Sequence, residues 1–107
     1  KPNAESISAA ASGVIPADTR TSITNADAAG AYPIATFTWM IIYKEQNYSD
    51  RSKEQATATL NLLQYILSDE AQKITSEVHY APLPAQAKEL SLKNLKTVTY
   101  DGVTILQ

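Results

Sequence analysis

Tyr80-Ala81-Pro82-Leu83-Pro84 is the stretch around which the rest of the chain can be ordered. Two prolines flanking a leucine make a stiff extended connector, because each ring fixes its own φ and pushes the preceding residue out of the helical region. Pro84 can then open a helix, where its missing N–H costs nothing. Upstream lies a long helical pattern, and before that the apolar run Ile34–Tyr43. The order is therefore strand, helices, proline connector, helix.

In Ala35-Thr36-Phe37-Thr38-Trp39-Met40-Ile41-Ile42-Tyr43, period two puts Ala35, Phe37, Trp39, Ile41 and Tyr43 on one face. The other face becomes apolar toward Met40 and Ile42. Apolar character on both faces predicts a strand covered on both sides within a sheet, away from its edge. Lys44–Asp50 is polar and turn-like.

From Ser52 to about His79 the pattern is helical. Ser52 and Gln55 fit a capping box, and Ala56, Leu60, Leu63 and Leu67 form an apolar stripe flanked by Leu62 and Ile66. Ser68-Asp69-Glu70 looks like a second helix start, with acidic residues suited to the helix dipole. Ala71, Ile74 and Val78 continue a narrower stripe, so the segment predicts two helices or one kinked helix. Pro84–Leu92 predicts a further helix with Ala87 and Leu90 inward. Asp101-Gly102 predicts the turn of a hairpin between Thr97–Tyr100 and Val103–Leu106.

Residues 1–31 are small, polar and loosely patterned. Ala4–Ser12 predicts one short helix capped by Asn3, with Ile7 and Ala10 or Ala11 on one face and Gly13 as its stop. Ile15-Pro16-Ala17-Asp18 is a turn signal. Thr19–Ala31 has few apolar anchors and reads as an arm, or as a loop laid over something else.

The 107 residues are 44% hydrophobic and 19% charged, the composition of one small globular domain. A domain of this size buries about 60–65% of its unfolded surface, so its stability is sensitive to missing neighbours. A net charge of -2 argues against nucleic acid or an anionic membrane as partner. Lys88, Lys93 and Lys96 read as solvated. The absence of cysteine removes disulfides and thiolate metal sites without deciding the compartment. No run reaches the roughly 18–20 apolar residues of a membrane span. No secretory signal is recognisable, and the start at Lys1-Pro2-Asn3 reads as a cut.

Chemistry-bearing residues are sparse. His79 is the only histidine, and Glu77 and Tyr80 supply neither nucleophile nor orienting partner, so it reads as structural or exposed. Asp69 and Glu70, adjacent on a helix, splay about 100° apart and form no catalytic dyad. Gly13, Gly30 and Gly102 are isolated and build no phosphate-cradling loop. Asn47-Tyr48-Ser49 matches a glycosylation acceptor, a match common by chance. Phe37, Trp39 and Tyr43 read as core packing before a stacking platform. No array of Asp, Glu or His has metal-ligand spacing. The residues thus assign no catalytic, ligand-binding or metal site and require no cofactor.

Several pieces together resemble the C-terminal third of the phosphate-binding proteins of bacterial phosphate ABC importers. They are Ala31-Tyr32-Pro33-Ile34, Thr38–Lys44, Leu60–Lys73, Tyr80–Pro84 and, near the end, Asp101-Gly102. The match spans roughly residues 30–106 and is weaker upstream, where Ile7–Ala11 and Pro16–Ser22 suggest the preceding helix and loop. The resemblance implies an α/β fold, the C-terminal portion of a two-lobed periplasmic-binding-protein-like clamp. One central covered strand, two or three helices and a C-terminal hairpin are expected. Residues 1–31 would end the second lobe and form the crossover loop, and 32–107 would complete the first lobe. The implied function is transport, not enzymatic: capture of inorganic phosphate outside the membrane and delivery to an ABC permease. The implied location is periplasmic or extracellular, with a lipid anchor as an option for the full-length parent.

In that family the phosphate is held by helix-start N–H groups, Ser and Thr hydroxyls, one Arg and one Asp, all from earlier in the sequence. Arg20 and Arg51, the only arginines here, lie in no matching motif, so no ligand contact carries over. The chain departs from the family pattern at Ala71, where a glycine is frequent, and in the alanine-rich loop Asn25–Gly30. Exposed apolar surface and self-association through an unpaired strand edge are expected. The alternatives are a binding protein for another oxyanion such as molybdate or sulfate, and a stand-alone interaction module presenting a helix face from Asp50–Ser76. A phosphatase-type enzyme on a similar scaffold is disfavoured by the lone histidine.

Overall fold

A computed structural model describes all 107 residues. Helix α1 is Ala4–Ala10, α2 Lys53–Ile66, α3 Asp69–Glu77 and α4 Ala85–Leu95. Strands β1 (Thr99–Tyr100) and β2 (Val103–Thr104) form an antiparallel pair in which Thr99 faces Thr104 and Tyr100 faces Val103. The coarse class, helices mixed with short strands, agrees with the α/β expectation.

The helix starts follow local rules. Asn3 accepts from the Ser6 N–H at 2.7 Å while the Ser6 hydroxyl takes the Asn3 N–H, a reciprocal box. Ser52 and Gln55 do the same at α2. Ser68 caps α3, so the long helical stretch is two helices broken at Leu67-Ser68. Pro84 occupies the cap position of α4, which runs three residues past the expected end at Leu92. Helix α1 stops at Ala10, before Gly13. The hairpin turns through Asp101 and Gly102, both with positive φ (51° and 75°), as a two-residue type I′ turn requires. Its paired strands are shorter than expected.

The covered central strand is not formed. Ile34–Tyr43 carries no strand pairing, and none of its backbone N–H groups donates to another part of the chain. Alternating β-branched and aromatic residues favour a pleated surface, but a strand exists only where a neighbour completes its hydrogen bonds. Pairing begins just past the run. The Thr99 N–H donates to the Lys44 carbonyl at 2.9 Å, and the Gln46 N–H to the Thr99 carbonyl at 2.8 Å.

Two small apolar clusters replace one core. In the first, Ala10 and Ala11 of the α1 end pack with Ile23 and Ala35, flanked by Ile7 and Phe37. In the second, Leu60 and Leu63 of α2 pack with Val98, flanked by Ile42, Ile66, Leu95, Ile105 and Leu106. Ile34–Tyr43 thus spans between them: Ala35 and Phe37 face one cluster, Ile42 the other, and Thr38–Ile41 is exposed. The inward face changes from odd to even residues along the run, which no regular strand on one core would do.

The Thr19–Ala31 segment is held more firmly than its composition implied. Its Asn25 N–H donates to the Pro33 carbonyl at 2.8 Å, and the Thr24 hydroxyl to the Ala35 carbonyl at 3.1 Å. Ile23 supplies a buried anchor.

Candidate functional site

Three polar constellations stand out, each joining residues distant in sequence. The first centres on the Glu45 carboxylate. It accepts from the Thr99 hydroxyl at 2.7 Å, the Asn47 N–H at 2.9 Å, the Asp101 N–H at 2.8 Å and the Gly102 N–H at 3.1 Å. These donors, led by the Thr99 hydroxyl and then the backbone N–H groups, lower its pKa from 4.5 to about 2. Asn47 also donates its side-chain amide to the Asp101 carboxylate. With its lone pairs so occupied, Glu45 is a poor general base; it clasps the hairpin turn to the chain before α2.

The second constellation surrounds Arg51. Its Nη2 donates to the Thr59 hydroxyl and to the Gln55 carbonyl, and its guanidinium carbon lies 5.7 Å from the centre of the Tyr48 ring. The Tyr100 hydroxyl donates to the Arg51 carbonyl at 2.8 Å, and Nε is covered without an acceptor. An open hollow of about 610 Å³ adjoins it, lined also by Ser49, Asp50 and Ala58. Asp50 places a negative charge in that hollow, so the arrangement offers an anion no purely positive seat. Arg20, the other arginine, pairs with Asp18 at 2.8 Å. The Arg20 side-chain hydrogen bond lowers the Asp18 pKa.

The third constellation fixes the proline connector. Gln72, only 8% exposed, donates its side-chain amide to the Ile66 carbonyl at 2.9 Å and accepts from the Leu83 N–H at 2.7 Å. One side chain thereby satisfies the end of α2 and the backbone between the two prolines. Beside it Lys88 of α4 pairs with Asp69 at the start of α3, and its hydrogen bond and charge lower the Asp69 pKa. Lys88 is covered to 22% exposure and links two helices, so its reading as a solvated lysine is corrected. The adjoining hollow, about 370 Å³, is lined by Lys73, Ser76 and Pro82 as well. In α3 the expected stripe is also corrected: Ile74 and Val78 are exposed, and Gln72 is the buried residue.

His79 lies exposed with φ of 63° just past α3. The Tyr80 N–H reaches the Thr75 carbonyl at 2.8 Å and the His79 N–H the Ser76 carbonyl at 3.4 Å, the two bonds of a Schellman closure. Its backbone thus ends a helix. Asp69 and Glu70 occupy the first turn of α3, as their dipole preference suggested. Phe37 and Trp39 meet edge-to-face at 6.1 Å, but Trp39 and Tyr43 are exposed and pack no core.

Sequence reasoning passed over Glu45, Gln46 and Gln72, and misread Lys88. Gln46 is buried and donates to the Tyr43 carbonyl at 2.6 Å. An acidic residue at the end of an apolar run, facing an Asp-Gly turn, is a signal only once the two are known to be neighbours. No group of acidic or histidine side chains is arranged to hold a metal ion, and no helix is long and apolar enough to cross a membrane. The chain matches no known family model, no curated protein and no solved structure.

Proposed function

We propose that this chain is scaffold from the C-terminal part of a solute-binding protein that captures inorganic phosphate outside the cell membrane and delivers it to an ABC permease. On this reading residues 1–31 close one lobe of the clamp and 32–107 belong to the other. The chain's role is framework, without catalysis, and the anion-gripping groups come from the remainder of the parent. The protein works in the periplasm or at the outer cell surface.

The ordered set of segments from Ala31 to Gly102 is what motivates the reading. The observation that carries it in the folded chain is Ile34–Tyr43, an uncharged apolar run with unfilled backbone donors between two small clusters. Such a run is what a sheet strand becomes when its neighbours are elsewhere. The polar constellations fit the framework role, since Glu45, Gln72 and Lys88 spend their hydrogen bonds within the chain and Arg51 directs its Nη2 to Thr59 and Gln55.

Isothermal titration tests the proposal. The full-length parent is expected to bind inorganic phosphate more tightly than molybdate or sulfate, and the 107-residue chain alone is expected to give no measurable heat. A parent that ignores phosphate overturns the ligand, and preference for another oxyanion replaces it. Micromolar phosphate binding by the chain alone overturns the scaffold role.

A further inference from the structure

We infer that Ile34–Tyr43 is a self-pairing edge through which two copies of this chain form an antiparallel, two-fold dimer. The inference concerns the 107-residue chain as it stands and is independent of the phosphate reading.

Backbone chemistry supplies the first argument. From Ile34 to Tyr43 every N–H lacks an acceptor within the chain, and among the carbonyls only those of Ala35, Phe37 and Tyr43 accept from side chains. Another extended chain can fill a row of such groups. Side chains supply the second. Trp39, Met40, Ile41 and Tyr43 are exposed, Ile41 to 94%, so the unfilled backbone is flanked by apolar surface.

Charge selects a second copy as the occupant. Between Pro33 and Lys44 there is no charged residue, so none of the gatekeeping charges that protect sheet edges is present. A two-fold axis normal to the new sheet, near Thr38 and Trp39, pairs odd residues with odd and even with even. Lys44 of each copy then lies at the opposite end of the pair, and no like charges meet. With the axis at Trp39, that residue meets its own copy and Phe37 lies opposite Ile41, aromatic and β-branched pairings that stabilise antiparallel strands.

Area supplies the third argument. The chain exposes 7485 Å², whereas a folded monomer of 11.6 kDa exposes about 5,800 Å². The surplus, about 1,700 Å², exceeds the roughly 800 Å² per partner of a standard interface. The surplus is thus large enough to supply a two-fold interface of standard size.

Sedimentation equilibrium over a concentration series tests the dimer, with amide hydrogen exchange locating it. The unsubstituted chain is expected to dimerise in the micromolar range and to protect every second amide between Thr36 and Ile42 in the dimer, because successive N–H groups of a strand point to opposite edges. Ile41→Lys introduces a charge at a position that packs against nothing and is expected to weaken the dimer by roughly tenfold or more. Thr38→Pro deletes an N–H that has no internal partner and is expected to do the same. Val14→Lys, equally exposed outside the run, is expected to leave the dimer intact, and circular dichroism checks that all three keep their helices. A chain that stays monomeric at several hundred micromolar overturns the inference, as does a dimer that survives both Ile41→Lys and Thr38→Pro.

Discussion

Glu45 shows how far one exposed side chain can reach. It joins residue 45 to Thr99 and to the Asp101-Gly102 turn, so a two-strand hairpin too short to stand alone is tied to the chain before α2. Its pKa is lowered from 4.5 to about 2, so the folded state binds this proton less readily than the unfolded one. The clasp therefore contributes fully above about pH 4.5, weakens as pH falls, and is lost through about pH 2. Thermal unfolding at pH 6 and pH 3 should show a larger acid loss for the unsubstituted chain than for Glu45→Gln, which keeps the shape but lacks the charge. An equal loss in both would place the acid sensitivity elsewhere.

At the scale of elements, helix ends were written locally. Asn3 with Ser6, Ser52 with Gln55, and Ser68 with Ala71 each lie three residues apart, within reach before any tertiary structure exists. Helix α3 ends less economically, because His79 holds a left-handed backbone that glycine would adopt without steric cost. His79→Gly should therefore raise stability by about 0.5–1 kcal/mol, read from the urea midpoint at unchanged slope. A loss of stability would mean that the imidazole makes a contribution outweighing its backbone cost.

The whole molecule is long for its size. Its radius of gyration is 15.6 Å, against about 13 Å for a compact domain of this length, and it extends 47 × 27 × 23 Å. Two clusters joined by an unpaired run give it this shape. The first cluster is built mainly from alanines, while the second contains Leu60, Leu63 and Val98 and unites α2 with the hairpin. Burying alanine removes far less apolar area than burying leucine, and α1 is too short to be stable on its own. Native-state hydrogen exchange should find the α1 amides opening at lower free energy than those of α2 around Leu60. Equal protection across both would mean that the two clusters unfold as one unit.

What the sequence determined was the set of features decided within a few residues: the caps, the stiff connector ending at Pro84, and the positive-φ turn at Asp101-Gly102. Their hydrogen bonds close over short loops, so the residues that make them are visible together. The apolar stripe of α2 was legible for the same reason, since helical periodicity marks a face whatever that face meets. Tertiary structure alone decided that Ile34–Tyr43 stays unpaired, that Gln72 rather than Ile74 is buried, that Lys88 closes on Asp69, and that Glu45 holds the hairpin. Each depends on which distant segment lies alongside, and a strand above all is defined by its neighbour: side-chain alternation makes a segment able to pair, but only a second backbone makes it a strand.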